Sequence, residues 1–340
     1  MSRGLGDVYK RQVLISGCID TQKVHISSAI ASGYKYMLIV TSDEAKARKM
    51  CDDASFFNKE AIYYPAKDAI FYSADVHGNQ ITGERLRCIS RIINHSSTGE
   101  GVLTVVTTMD GIADRLIPVE RFKEAVITLD YSSEIEPEKL AKKLVAMGFV
   151  RTGMVEDKGQ FAIRGGIIDI FSYTDEAPVR IELWDTEVDS IRMFDVESQR
   201  SIERLQSYSI FPATEYIFTE DELKNGLYNI KEECDRQLEC FDYGKRKRTK
   251  EQIEAGNNLN KLVADVERTG NYEKFTDTLV ADTVGLAEYF PEENTLVVLD
   301  EPNRLKECNE LTLYEYNESM KNRLAAGYVL PSQTNKVKAM

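Results

Sequence analysis

Val102-Leu103-Thr104-Val105-Val106-Thr107 is a short, β-branched run without strict polar–apolar alternation, the pattern of a strand buried on both faces. Val13–Ser16, Tyr36–Thr41 and Ala61–Tyr64 read the same way. Between these runs, Asp43–Cys51 and Gly83–Asn94 carry helical spacing, the latter through Leu86, Ile89, Ile92 and Ile93. Strands separated by helices predict an α/β domain with a parallel sheet over residues 13–128. Residues 1–12, MSRGLGDVYKRQ, have no periodicity and read as a leader foreign to the fold.

The pattern changes near residue 129. Pro137–Met147 predicts a helix, with proline in its first turn, Gly148 just past its end, and Leu140, Leu144 and Met147 on one stripe. Period-two strands follow: Phe161–Arg164, Ile167–Phe171, Val179–Trp184 and Val188–Phe194. Turn-like breaks at Thr174–Pro178 and Asp185-Thr186 separate the later ones. Residues 129–213 are therefore expected to form a small antiparallel α+β module with one buried face. From 214 to 332 the chain turns helical. Thr219-x-x-Glu222 is a capping box, and Leu259, Leu262, Val263 and Val266 mark a second helix. One further buried strand, Thr295–Leu299, implies a return to the first sheet and makes the small module an insertion. Residues 333–340 read as a tail at which the chain stops inside a longer protein.

The 340 residues suit about two domains. No apolar run approaches the ~18 residues of a membrane span, and no signal-peptide core opens the chain. Six scattered cysteines form no disulfide framework, so the expected compartment is the cytoplasm. A net charge of −13 repels phosphate backbones, and a nucleic-acid binder would need a local basic patch.

Several segments could carry chemistry. Ser16-Gly17-Cys18-Ile19-Asp20-Thr21-Gln22-Lys23 occupies the place of a phosphate-binding loop. It keeps one glycine, however, and Lys23 is followed by Val24 rather than serine or threonine. Leu296-Val-Val-Leu-Asp300-Glu301 resembles the strand whose aspartate holds magnesium, yet the first loop offers that metal nothing to bridge. His25, His77 and His95 lie at no zinc spacing from a cysteine pair. The basic run Lys245–Lys250 sits among acidic neighbours without an aromatic ladder, which favours a solvated helical turn over a nucleic-acid contact. Tyr63, Tyr64, Phe71 and Tyr72 read as core rather than as a base-stacking platform.

The strand Val179-Arg180-Ile181-Glu182-Leu183-Trp184 is the most informative for function. Alternation turns Val179, Ile181 and Leu183 inward and leaves Arg180, Glu182 and the single tryptophan, Trp184, on the open face. In the earlier strand Phe161 and Ile163 face inward, so Arg164 faces outward as well. Arginine and tryptophan together are the residue types that dominate interface energies. The competing reading is local: Arg180 pairs with Glu182 and Trp184 covers a neighbouring loop.

The string from Gly159-Gln-Phe-Ala-Ile-Arg-Gly-Gly-Ile-Ile-Asp-Ile-Phe171, through Pro178–Arg192, to Phe194–Ser201 resembles the N-terminal UvrB-homology region of the bacterial transcription-repair coupling factor (Mfd) family. Fainter agreement runs from Val13 through Tyr64–Asp68 and Val105–Thr108 to Leu299–Pro302 and Leu330-Pro331. The resemblance implies a degenerate RecA-like, P-loop-NTPase-like sheet domain split around an inserted UvrA-binding domain. It implies UvrA as partner, bound through Arg164, Arg180 and Trp184. Many relatives carry phenylalanine where Trp184 stands. It also implies an autoinhibitory contact from a C-terminal domain of the full-length protein. That protein would be an ATP-dependent DNA translocase that displaces stalled RNA polymerase and recruits excision repair, its polymerase-interacting and motor domains lying outside this chain.

On this reading the chain is a docking module and not an enzyme. Gly17, Lys23, Asp300 and Glu301 form an inactive nucleotide site, and no cofactor is expected here, ATP and magnesium belonging to the parent's motor. The alternative is an ATP-dependent, UvrB-like repair helicase subunit using Lys23 and Asp300, and a third reading is direct DNA binding through Lys245–Lys250.

Overall fold

The computed structural model describes residues 12–58, 60–67, 76–98, 100–242, 248–270, 272, 275–280 and 282–335. Residues 1–11 of the leader, Asp68, Phe71, Tyr72, residues 245–247 of the basic run and the tail beyond 335 lie outside these.

The first unit runs α1 (Asp20–Ala31), β1 (Tyr36–Thr41), α2 (Glu44–Ser55), β2 (Glu60–Tyr64), α3 (Val76–Thr98), β3 (Leu103–Thr108), α4 (Met109–Ala113), β4 (Arg115–Leu116) and α5 (Val119–Ala125). Asp43 starts α2, its carboxylate accepting from the Lys46 backbone N–H at 2.9 Å. The inserted unit contains β5 (Ile127–Asp130), α6 (Pro137–Ala146), β6 (Val150–Arg151), β7 (Gln160–Arg164), β8 (Ile167–Phe171), β9 (Val179–Trp184), β10 (Glu187–Phe194), β11 (Ser201–Arg204) and β12 (Ser207–Ile210). The chain then returns through α7 (Glu220–Asp242), α8 (Lys250–Thr269), α9 (Thr276–Leu279), β13 (Val284–Gly285), β14 (Thr295–Leu299) and α10 (Pro302–Ala325).

The first sheet is parallel in the order β14-β1-β3-β2, with Tyr36 in register with both Leu103 and Thr295. β1 and β3 are buried at every position, as their continuous apolar and β-branched runs require. One face packs Met37, Ile39 and Val106 on Val24, Ala31, Ala47 and Met50 of α1 and α2. The other packs Leu38, Val40 and Val105 in a larger core with Leu86 and Ile89 of α3, Ile230 of α7 and Leu259 of α8. β14 joins β1 as expected, but as a half-exposed edge strand. Val297 and Leu299 are each 53% exposed, because covering helices lie behind Leu296 and Val298 only.

Val13–Ser16 departs from expectation. It forms no strand, and Val13 and Leu14 stand out in solvent. A strand exists through its ladder, and this segment pairs with neither edge of the sheet.

The inserted unit carries a six-stranded sheet, β11-β10-β9-β8-β7-β6, antiparallel except for the short β6–β7 pair. β12 and β5 pair separately beside it. The α6 stripe of Leu140, Leu144 and Met147 seals the inner face with Phe161, Ile168, Ile170, Ile181 and Ile191. Full burial of each such side chain contributes about 1.5–3 kcal/mol, enough to fix which face is inside.

Tyr173 seats this unit on the scaffold, and Arg85 holds the segment that leaves it, at Glu215. A Cβ on Gly83 of α3 would lie 2.7 Å from the Tyr173 ring, and one on Gly159, at φ +79°, would lie 3.0 Å from it. Two glycines thus open the socket. Arg85 is fully buried and donates to both carboxylate oxygens of Glu215 (2.7 and 3.2 Å), to Asp114 (2.6 Å) and to the Pro65 carbonyl (2.8 Å). Its guanidinium also lies 4.3 Å above the ring of the buried Tyr64, so Tyr64 is core.

Candidate functional site

β9 alternates as its sequence suggests: Val179 and Ile181 are buried, Arg180 and Glu182 half-buried, and Trp184 is 80% exposed. Trp184 precedes the β9–β10 turn, where Asp185 has φ +58°, and it projects into solvent rather than covering a loop. Arg164 ends β7 on the same open face.

The local pairing differs from the simplest expectation. Arg180 engages Asp169 of β8, its register partner, and not Glu182. The distances are 2.7 Å from Nε to Oδ1 and 2.9 Å from Nη2 to Oδ2. Arg164 donates to the same Oδ2 at 2.5 Å. Asp169 is buried (1% exposed), and the two guanidinium groups are the cations paired with it. The bonds that Arg180 donates to Asp169 raise its already high pKa, and the guanidinium lies 4.3 Å over the Phe194 ring. Glu182 is taken by Arg192 and by the Ser190 hydroxyl, which donates at 2.8 Å. Across the strands Asp169, Arg180, Arg192 and Arg204 stand in one register row. The face is an arginine row with two internal carboxylates and a free aromatic at its end. Such a surface suits bidentate recognition of carboxylates beside an apolar anchor.

The second cluster lies at the C-terminal ends of β14 and β1. Lys23 of α1 reaches Asp300 at 2.8 Å and Glu301 at 3.4 Å. Lys46 of α2 pairs with Asp300 and lies 3.3 Å from Glu301. The Thr41 hydroxyl donates to Asp300 at 3.3 Å. Burial pushes the Asp300 carboxyl up, but the bonds from Lys23 and Lys46 prevail and hold it below its ordinary value. Gly17, at φ +81°, stands in the loop before α1. Lys23, Asp300 and Glu301 are thus brought together. Two ammonium groups saturate the carboxylate that a magnesium ion would need, and one glycine supplies no nest of backbone N–H groups for phosphates. These residues do not fit a magnesium–nucleotide.

Among the described residues no group of three metal-ligating side chains forms, and no helix is long and apolar enough to cross a membrane.

Comparison with known proteins bears on the open arginine face. Residues 127–216 match the family described as the UvrB interaction domain. The inserted unit is a UvrB interaction domain. The chain is also similar, at 33% identity over 338 residues, to the transcription-repair-coupling factor of Bacillus subtilis, covering 96% of this chain and 27% of that protein. The proteins of the same name from Staphylococcus haemolyticus and Staphylococcus aureus are 31% and 30% identical, over 95% and 92% of this chain. The resemblance seen in residues 159–201 is borne out, and the chain spans about a quarter of the length of these relatives.

Arg164, Arg180 and Trp184 all lie inside the UvrB interaction domain, whereas Gly17, Lys23, Asp300 and Glu301 lie outside it. Sequence reasoning missed Asp169, although the alternation of Ile168-Asp169-Ile170 already turns it away from the core. It also missed Lys46, whose position opposite Asp300 depends on the β14–β1 pairing and has no local signal.

Proposed function

We propose that this chain is a docking module for UvrA in transcription-coupled nucleotide-excision repair. The observation that carries the reading is the open sheet face of the UvrB interaction domain, where Arg164 and Arg180 stand with a tryptophan that is 80% exposed. Beside two arginines, an exposed tryptophan has the composition of an interface hot spot. The first sheet serves as a scaffold without nucleotide chemistry, because Lys23 and Lys46 neutralise Asp300. In the longer protein an ATP-dependent DNA translocase motor displaces stalled RNA polymerase, and this face delivers UvrA to the exposed lesion. Until that motor acts, a C-terminal domain of the same protein covers the face.

Co-sedimentation of the chain with UvrA tests this. A complex is expected with the wild type and is lost with Trp184→Ala and Arg164→Ala together. No complex with the wild type would contradict the assignment. The nucleotide-hydrolase alternative has one observation in its favour, the 2.8 Å approach of Lys23 to Asp300. It requires ATP turnover that Lys23→Ala abolishes.

A further inference from the structure

We propose that Asp169 is the positioning residue of the docking face, binding Arg164 and Arg180 into one unit that meets the partner together. This deepens the UvrA reading above and rests on it.

The strand register creates the unit. Asp169 stands opposite Arg180 on one side and Ala162 on the other. Ala162 has nothing beyond its Cβ, so Arg164, two residues along the same strand, reaches back diagonally to the carboxylate. Oδ1 accepts from Arg180 Nε, and Oδ2 accepts from Nη2 of both arginines. Side-chain exposure is graded: 2% for Asp169, 14% for Arg180 and 40% for Arg164.

Arg180 is further enclosed by the Phe194 ring and by the Gln199 side chain, whose Oε1 accepts from Nη2 at 2.9 Å. Gln199 is held for this at φ +58°, in a turn that Asp195 organises through the Ser198 N–H and hydroxyl. Arg180 therefore acts mainly by holding Asp169 in place. Arg164, 40% exposed, is the cation placed to meet a partner carboxylate; its Nη2 is held by Asp169 and its Nη1 reaches the Gly153 carbonyl at 3.5 Å. One anion shared by two cations leaves the unit positive, and pre-ordering spares the partner the cost of fixing a long side chain.

Charge and position predict opposite signs for Asp169→Asn. Removing a negative charge from a face that meets carboxylates should tighten binding if only net charge matters. If Asp169 positions the arginines, the amide nitrogen now faces guanidinium donors, Arg164 swings free, and binding weakens despite the added positive charge. Calorimetric titration of UvrA with wild-type chain, D169N, R164A, W184A and D169N/R164A measures this. D169N is expected to weaken binding at least about tenfold, and the double variant to bind within about threefold of R164A alone. D169N binding as tightly as the wild type or tighter, or losses that multiply in the double variant, overturns the proposal. If W184A and R164A still weaken binding in that case, the docking reading stands. If they do not, the docking reading fails as well.

Should D169N not fold, R164K reads the same point, because it keeps the charge and loses the fork. R164K is expected to lose most of what R164A loses, and wild-type affinity would overturn the proposal. One readout needs no partner: in the free chain the Arg164 side-chain N–H signals should show slow guanidinium rotation that D169N averages out. Signals that D169N leaves unchanged overturn the proposal.

Discussion

Replacing Arg85 with methionine tests how the UvrB interaction domain is held to its scaffold. Methionine fills most of the volume of the arginine stem, so the cavity term is small and the loss is electrostatic. Four hydrogen bonds disappear: two to Glu215, one to Asp114 and one to the Pro65 carbonyl. Glu215 is 1% exposed, and among the described residues Lys67, 3.2 Å away, is the cation it keeps. Breaking a buried pair on one side costs about 3–5 kcal/mol, and the remaining Lys67 places the expected loss near the lower end, about 3 kcal/mol. Typical domain stabilities are about 5–15 kcal/mol, so this is a large fraction. Urea unfolding followed by circular dichroism reads it as a lowered midpoint. The triple variant R85M/D114N/E215Q, which removes the stranded charges, should recover more than half of the loss. A loss below about 1 kcal/mol in R85M, or a triple variant less stable than R85M, would refute the view that this buried cluster latches the two units.

Other expectations follow from the same geometry. Gly83→Ala puts a methyl 2.7 Å from the Tyr173 ring, so thermal or urea unfolding should show a loss of about 1–3 kcal/mol from overpacking. Trp184→Ala removes an 80% exposed side chain and should change stability by less than about 0.5 kcal/mol, while the affinity for UvrA falls by about 2 kcal/mol or more, roughly thirtyfold. Asp300 is held below its ordinary 3.8 because Lys23 and Lys46 outweigh its burial. A depressed folded-state value means that its stabilisation is complete above the unfolded value and is lost as pH falls through the folded one. The stability gap between wild type and K23A/K46A should therefore be widest above about pH 5 and shrink as pH drops below about 4. A gap independent of pH would show that Asp300 is not the lysines' partner.

The parts of the fold visible in the sequence were those whose cause is local. YMLIVT at Tyr36–Thr41 and the run 102–107 announced strands buried on both faces, because apolar and β-branched residues fill them without polar–apolar alternation. Thr219 and Glu222 announced a helix start, and each indeed bonds the other's backbone N–H, at 3.2 and 2.8 Å. Val13–Ser16 has the same apolar signature and forms no strand, since a strand exists only through pairing and this segment pairs with neither edge of the sheet. On the docking face, alternation alone was enough to orient Arg164, Arg180 and Trp184. It could not say that Arg180 pairs with Asp169 while Glu182 pairs with Arg192, because those choices depend on register across β8, β9 and β10. The Lys46–Asp300 and Arg85–Glu215 pairs join residues far apart in the chain, and their partners become neighbours only when the tertiary fold forms.

Isothermal titration of purified UvrA with the chain, alongside R164A/R180A shown by circular dichroism to be folded, tests the central claim most directly. Saturable binding by the wild type that the double variant loses by at least about a hundredfold is the predicted result. A folded double variant that binds UvrA as the wild type does would show that the arginine face is not where UvrA docks.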